Sequence, residues 1–288
     1  MEMENDMIRF TDQEIDRLIE DDVPLGDLTS ALLGLHRETG QLTIAAREQL
    51  VICGTEEAAR ICEKAGLVVE HCIPSGTLCE PGDAVLEAVG NAASIHMAWR
   101  ASGIFVEFAS GIATRTRQLV DAARKGNPDT TVAGSRKHSP FAKKMALKAL
   151  YAGGGVPHRT SLSDTVLIFR EHLTFVGGYD RLPTIVQAIR KQHKERMIVV
   201  EAHSPLEALT AARSGANFVQ LDKMPVDGFA DCAAECRRVN RQVGMIAAGG
   251  IHAGTAEAYA NAGADVLVSS WMYAAPPADV GVHILRTE

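Results

Sequence analysis

Apolar and polar positions follow two different rhythms along this chain. Between Gln41 and about Gly90 the rhythm is short: QLTIAARE, LVICG, LVVEHCI and AVLEAVG read as strands, Pro81-Gly82-Asp83 as a tight turn, and Glu56–Gly66 as one intervening helix. Ahead of them, Thr11–Asp21 carries Ile15, Leu18 and Ile19 at helical spacing, and Thr11 with Glu14 forms a capping-box pair. Val23–Ser30 (VPLGDLTS) reads as a turn-rich connection. The first hundred or so residues therefore predict a small α+β unit.

Near Ala92 the pattern changes. A helical period runs from there to about Lys125, with Ser110-Gly111 as a candidate break. Short β-rich runs follow at Thr130–Gly134, Asp164–Phe169, Met197–Glu201, Phe218–Asp222, Gly244–Ala248 and Asp265–Ser269. Helical segments separate them at Pro140–Tyr151, Asp180–His193, Pro205–Ser214, Gly228–Asn240 and Thr255–Ala262. Such alternation is the signature of parallel βαβ units. Two units repeat their punctuation: Ser214-Gly215-Ala216 precedes NFVQLD and Ala262-Gly263-Ala264 precedes DVLVSS, each Gly a left-handed helix stop. The strands are apolar nearly throughout, as when both faces are covered. A β/α barrel suits this run better than a Rossmann sheet, and no GxGxxG follows a strand.

Composition narrows the class further. A chain of 288 residues can bury a core without disulfides or metal staples, and 46% apolar with 23% charged residues excludes general disorder. The 29 Lys and Arg against 36 Asp and Glu give a net charge of −7 without any basic block, which speaks against nucleic acid but leaves room for a local basic pocket. The richest apolar window, Ile104–Ile112, is interrupted by Glu107, so no transmembrane helix is predicted. Met1–Arg9 is acidic and lacks an apolar signal core. None of the six cysteines forms a CxxC pair. Cys232 and Cys236 have a spacing that could hold a metal, but with no matching His or Cys group nearby they read as apolar fillers in a reducing compartment. The expectation is a cytoplasmic protein that binds neither nucleic acid nor membrane.

In a β/α barrel, reactive groups sit at the C-terminal ends of the strands. Those ends supply Ser135, Arg136, Lys137 and His138; Glu201 and His203; Asp222 and Lys223; Gly249 and Gly250; and Ser269 and Ser270. GGGVPHR (Gly153–Arg159) lies before the second β-rich run. Arg136, Lys137, His158 and Arg159 concentrate positive charge, Glu201 and Asp222 negative charge. A cationic pocket with two carboxylates suits a polyphosphate whose Mg²⁺ the carboxylates hold through water. Glycine pairs at strand-to-helix junctions let backbone N–H groups approach a phosphate. Each feature alone has a plainer reading. Arg136-Lys137 would serve as a solvated pair, Glu201 and Asp222 as partners of structural lysines, and Gly153–Gly155 as a helix stop, since no Gly-Lys-Ser/Thr follows. His203 and His252 read as surface or packing residues. Convergence on successive strand ends is what predicts a phosphate-handling site.

The segments SGIATRTRQLVDAA (Ser110–Ala123), SRKHSP, GGGVPHR, Glu201, Leu221-Asp222 and Gly249–Ile251, with PLGDLTS near the start, resemble the nicotinate-nucleotide pyrophosphorylase (quinolinate phosphoribosyltransferase) family. In detail they are most similar to its ModD branch, associated with molybdenum transport. The resemblance covers nearly the whole chain in the right order. It implies an α/β fold of type II phosphoribosyltransferase kind: an N-terminal α/β sandwich over 1–108, an open seven-stranded α/β barrel over 109–270, and a segment over 271–288 that returns to the first domain. It implies a homodimer, or a multiple of dimers, in which Arg100 enters the neighbouring site. Arg136, His158 and Arg159 then grip the acid substrate, and Lys137 sits at the junction of substrate and ribose. Glu201 and Asp222 face the ribose and Mg²⁺, while Gly249, Gly250 and the Ser269-Ser270 turn cradle a 5′-phosphate.

The chain departs from the family pattern in places that matter. Where the family has Lys-Asp-Asn-His, this chain has Phe169-Arg170-Glu171-His172, and Leu-Asp-Asn becomes Leu221-Asp222-Lys223. Ser269 replaces a cradle glycine, and Trp99 stands where a Glu precedes the interface arginine. Lys223 thereby becomes a candidate substrate-binding residue, restoring the cation lost at Phe169. The resemblance implies a Mg²⁺-dependent pentosyltransferase. Such an enzyme moves phosphoribosyl from phosphoribosyl pyrophosphate (PRPP) to the ring nitrogen of an acidic heterocycle, quinolinate or a related acid, with release of pyrophosphate. Two other classes stay open: a catalytically weak binding or regulatory protein linked to molybdate handling, and a Schiff-base lyase using Lys137 or Lys223. Pyrophosphate release and borohydride trapping separate the three.

Overall fold

The computed structural model describes residues 8–287. Most of the stretch read as lacking a signal core lies outside them. The chain divides into two compact units. One takes in residues up to Arg117, Ser139–Gly154 and those from Met272 onward; the other takes in Gln118–His138 and Gly155–Trp271.

The first unit opens on helix α1 (Asp12–Asp22), started by the predicted capping box: the Glu14 N–H donates to Thr11 Oγ1 at 3.3 Å and the Thr11 N–H to Glu14 Oε2 at 2.6 Å. Val23–Ser30 is not all turn, because Asp27 caps a short helix α2 (Leu28–Leu33) that stops at a left-handed Gly34. Then come β1 (Thr39–Ala46), β2 (Leu50–Val51), α3 (Thr55–Lys64), β3 (Val68–Cys72), β4 (Leu78–Cys79) and β5 (Ala84–Asn91). Alternation along β1 buries Leu42, Ile44 and Ala46 in a core shared with Ile15, Ile61 and Leu86. The last strand, β13 (Val280–Arg286), pairs antiparallel with β1 and completes a four-stranded sheet in the order β13-β1-β5-β3.

Helix α4 (Ala92–Gly126) is continuous, so the candidate break at Ser110-Gly111 is absent. Those small residues serve close approach instead. The Cys53 N–H donates to Ser110 Oγ at 2.9 Å, and a Cβ on Gly111 would lie 2.2 Å from the Pro276 carbonyl oxygen. Helix α5 (Lys143–Ala152) also belongs to the first unit. Its Lys148 is only 4% exposed and pairs with both Glu56 and Glu57 on α3.

The second unit is built on seven parallel strands: β6 (Thr131–Gly134), β7 (Val156–Pro157), β8 (Val166–Ile168), β9 (Ile198–Ala202), β10 (Phe218–Asp222), β11 (Gly244–Ala248) and β12 (Val266–Ser269). Their order, β7-β6-β12-β11-β10-β9-β8, does not close on itself, so the barrel is open. Inward positions of successive strands, Ala133, Leu167, Val199, Ile246, Ala248 and Val268, form one apolar cluster. The alternate positions, such as Val200, Leu221 and Leu267, are buried as well, as expected of strands covered on both faces. Helices α6 (Arg170–Thr174), α7 (Leu182–Gln192), α8 (Pro205–Arg213), α9 (Val226–Val239) and α10 (Ala253–Asn261) link the strands. All six cysteines are free thiols, Cys72 half-buried and the others buried. Among the described residues no helix is long and apolar enough to cross a membrane.

Candidate active site

A cavity of about 670 Å³ opens at the C-terminal ends of the barrel strands. Arg136, Lys137, His158, Arg159, Glu201, Asp222, Lys223, Gly249, Gly250, Ser269 and Ser270 all line it. Arg100 does not. It lies on α4 in the first unit, exposed, with its guanidinium 4.2 Å from the centre of the Trp99 ring.

The cationic side of the cavity grows from the ends of β6 and β7. The Ser135 N–H donates to the Ser269 carbonyl at 2.8 Å, and the Lys137 N–H to Ser135 Oγ at 3.3 Å, which fixes the turn while Arg136 and Lys137 stay exposed. The His158 N–H donates to the Gly134 carbonyl at 2.9 Å. Burial, and then the neighbouring Arg159 charge, depress the His158 imidazole to about 4, so it is neutral at pH 7. Arg159 is itself lowered, by burial and then by Arg136, and its guanidinium lies 5.8 Å from the centre of the Phe169 ring. Asp164 ties down the next loop, accepting from the Thr160 N–H at 2.6 Å and the Ser161 hydroxyl at 2.8 Å.

The acidic side is set by the pairing of β9 with β10, which places Gln220 beside Glu201. The Gln220 amide donates to Glu201 Oε2 at 2.7 Å, and His203 Nε2 lies 3.2 Å from Oε1. His203, read from the sequence as packing or surface, is thus a partner of the carboxylate. Burial pushes the Glu201 carboxyl up, and the charge of Asp222 pushes it further. A buried carboxylate beside a second carboxylate makes a seat for a cation. Among the described residues no three or more His, Cys, Asp and Glu side chains gather into a metal cage. A hard divalent cation fits such a sparse oxygen set only when water and substrate phosphates supply the rest of its shell.

The glycine turn after β11 meets the end of β10. Gly249 and Gly250 have φ of +83° and +81°, and a Cβ on Gly249 would lie 2.6 Å from Asp222 Oδ1. Lys223 also adopts a left-handed backbone, φ 55°, and its N–H donates to the Ala248 carbonyl at 2.8 Å. The Ser269 hydroxyl donates to the Ile251 carbonyl at 2.6 Å and accepts from the Trp271 N–H at 2.9 Å, so it braces the turn. His252 caps α10, its Nδ1 accepting from the Gly254 N–H at 3.1 Å, and lines the cavity.

Phe169 lines the cavity too, packing against the inward apolar cluster with its ring 5.6 Å from that of His172. Sequence reasoning missed Gln220, His252 and Trp271 as cavity residues. For Gln220 a signal existed, since it sits two residues before Asp222 on the same face of a strand.

A family model described as quinolinate phosphoribosyl transferase, C-terminal domain, matches residues 112–283, and one described as the N-terminal domain of the same enzyme matches 27–110. The chain belongs to the quinolinate phosphoribosyltransferase family. Membership makes it an enzyme of the pentosyltransferase class. A Rhodobacter capsulatus protein named pyrophosphorylase ModD is 40% identical over 228 residues, 79% of this chain and 88% of that one. A Methanothermobacter thermautotrophicus protein named nicotinate-nucleotide pyrophosphorylase (carboxylating) is 30% identical over 278 residues, 94% and 97% of the two chains. Among solved structures, the nicotinate-nucleotide pyrophosphorylase of Francisella tularensis superposes with a TM-score of 0.86 at 22% identity, covering 97% of this chain and 96% of the other. NadC from Streptococcus pyogenes gives 0.87 at 23%, covering 97% and 99%. At these identities the likeness is one of fold, and the quinolinate phosphoribosyltransferase fold is the one this chain adopts.

Proposed function

We propose that this chain transfers the phosphoribosyl group of PRPP to the ring nitrogen of an acidic heterocycle, quinolinate or a related acid, with release of pyrophosphate. The observation that carries the reading is the charge arrangement of one cavity: Arg136, Lys137 and Arg159 at the ends of β6 and β7, Glu201 and Asp222 on β9 and β10. The ring nitrogen attacks C1 of the ribose as pyrophosphate leaves, through an oxocarbenium-like transition state. Catalysis is then mostly positioning and electrostatics. Arg136 and Arg159 hold the acid, neutral His158 hydrogen-bonds to it, and Lys137 sits where acid and ribose meet. Glu201 and Asp222 face the sugar, where positive charge develops, and would hold Mg²⁺ through water. The ion would neutralise the leaving pyrophosphate. Gly249, Gly250 and the Ser269-Ser270 turn cradle the 5′-phosphate, and Lys223 supplies a cation in place of the one lost at Phe169. The enzyme works as a homodimer whose sites are completed by Arg100 of the partner, in the cytoplasm, a compartment that suits six free thiols.

One observation favours a second reading. Phe169 puts an aromatic wall beside Arg159, where the family pattern has a lysine, and that change suits a weakly catalytic oxyanion-binding protein tied to molybdate handling. Mixing the chain with PRPP, Mg²⁺ and a panel of pyridine carboxylates decides between them. Acid-dependent pyrophosphate release is expected; binding of molybdate without release from any acid would sink the first reading.

A further inference from the structure

His252 is a cavity residue to which the proposed chemistry gives no task. It follows Gly250 by two positions, is exposed, and lines the cavity beside Gly249, Gly250 and Ser270. Its backbone is held on both sides. The carbonyl of Ile251, just before it, accepts from the Ser269 hydroxyl at 2.6 Å, and its own N–H donates to Thr255 Oγ1 at 3.1 Å. The ring is oriented too. Nδ1 accepts from the Gly254 N–H at 3.1 Å, so the imidazole proton sits on Nε2. Nε2 donates to nothing among the described residues, and the ring centre stands 6.5 Å from that of Trp271. An imidazole is an unusual cap. Helices α1, α2 and α8 are capped by Thr11, Asp27 and Ser204, side-chain types that serve best there. A Ser at 252 would satisfy the same N–H, so capping alone does not call for a ring with a second nitrogen. Departures from the best local choice collect at functional sites. The neighbours show what that second nitrogen meets. The N–H groups of Gly249 and Gly250 donate to no backbone acceptor among the described residues, and a left-handed turn with unpaired N–H groups is a concavity for an anion.

We infer that His252 is a phosphate-binding residue whose Nε2–H donates to the 5′-phosphate of the sugar substrate beside the Gly249-Gly250 turn. The inference rests on the proposed transfer from PRPP, which seats that phosphate in this turn, and adds a ring donor to the backbone N–H groups. A donor aimed at a phosphate oxygen makes a charge-assisted hydrogen bond, about twice as strong as a neutral one. The bonds to Gly254 and Thr255 fix the ring before any ligand arrives, so binding orders little that is not already ordered. The leaving pyrophosphate is the other phosphate that the substrate brings, and the test separates the two.

Calorimetric binding to the full chain needs no turnover. The probes are ribose 5-phosphate and, separately, pyrophosphate with Mg²⁺. His252→Ala and His252→Ser should each bind ribose 5-phosphate about tenfold more weakly than the parent, with pyrophosphate affinity held within about twofold. His252→Ser keeps an acceptor for the Gly254 N–H, so it should melt no lower than the parent and lose the affinity all the same. Parent-like ribose 5-phosphate binding by His252→Ser would make capping the whole role and overturn the inference. It is overturned equally if both variants keep their affinity, or if the parent does not bind ribose 5-phosphate. A loss as large for pyrophosphate would assign His252 to the leaving group, or to the shape of the whole cavity, and overturn it too. Failure of the transferase reading shows separately: no acid would release pyrophosphate from PRPP, while ribose 5-phosphate would still bind and still depend on His252.

Discussion

Lys137 is exposed beside Arg136, and the hydrogen bond it gives the turn comes from its backbone. Truncating its side chain therefore leaves the fold alone while removing a charge from the anion site. Lys137→Ala should keep the wild-type melting temperature and lose about 3 kcal/mol of transition-state stabilisation, on the order of 10² in turnover. Steady-state kinetics beside a thermal melt check this; wild-type turnover would remove Lys137 from the mechanism. Glu201 works in the opposite sense, against the empty fold. Burial and Asp222 raise its carboxyl above the ordinary 4.5, so the folded chain holds that proton more tightly than the unfolded one. The cost to stability is absent below 4.5, grows as pH rises through the raised folded value, and is complete above it. Glu201→Gln should accordingly melt higher than the parent at pH 7, lose that advantage near pH 4, and have little turnover. An equal difference at both pH values would show that ionisation is not its source. Most of these groups were legible because a barrel puts its chemistry at strand ends. For Gln220 the sequence offers only its place two residues before Asp222 on one strand face; that its amide meets Glu201 is decided by the pairing of β10 with β9.

The turn after β11 is where an element and the site constrain each other. A Cβ on Gly249 would lie 2.5 Å from Lys223 Cγ and 2.6 Å from Asp222 Oδ1, whereas one on Gly250 would meet nothing within 4 Å. Both glycines are left-handed, so each substitution by alanine carries a backbone cost of about 1–2 kcal/mol. Only Gly249→Ala must also move Asp222. It should weaken ribose 5-phosphate binding about tenfold more than Gly250→Ala does, the loss expected when a charge-assisted contact is displaced. Calorimetry on the two variants tests it, and equal losses would mean the close approach is irrelevant. Elements with strong local signals were readable to within a residue or so: the capping box placed α1, and β10 and β11 run as their patterns predict. What escaped was decided by distant neighbours. Nothing local shows that Gly111 is small to pass the Pro276 carbonyl, or that Lys148 seeks Glu56 and Glu57 some ninety positions away. Strand β7 is two residues long and leaves no periodic trace.

At the level of the assembled protein, helix α4 leaves one apolar face uncovered within the chain. Arg100, Ile104 and Phe108 fall at i, i+4 and i+8 on one face of that helix, with Ile104 42% and Phe108 46% exposed. Leu18, Phe105 and Met145 join Ile104 and Phe108 around a mainly apolar hollow of about 340 Å³ in the same unit, which Asp21 and Asp22 also line. A contiguous apolar stripe of this kind marks an interaction site. In the proposed reading a second copy of the chain covers it, and Arg100 at the end of the stripe completes the partner's cavity. Closed two-fold symmetry then makes each site a composite of two chains. Arg100→Ala and Lys137→Ala should each be nearly inactive alone, because each homodimer carries two defective sites. Mixed in equal amounts and allowed to exchange, half the dimers pair one variant with the other. Each such dimer has one site with both residues intact and one with neither, so about a quarter of wild-type activity should return. Sedimentation at micromolar concentration should show a dimer before and after exchange. A monomer, or a dimer in which mixing restores nothing, would place Arg100 outside the partner's site.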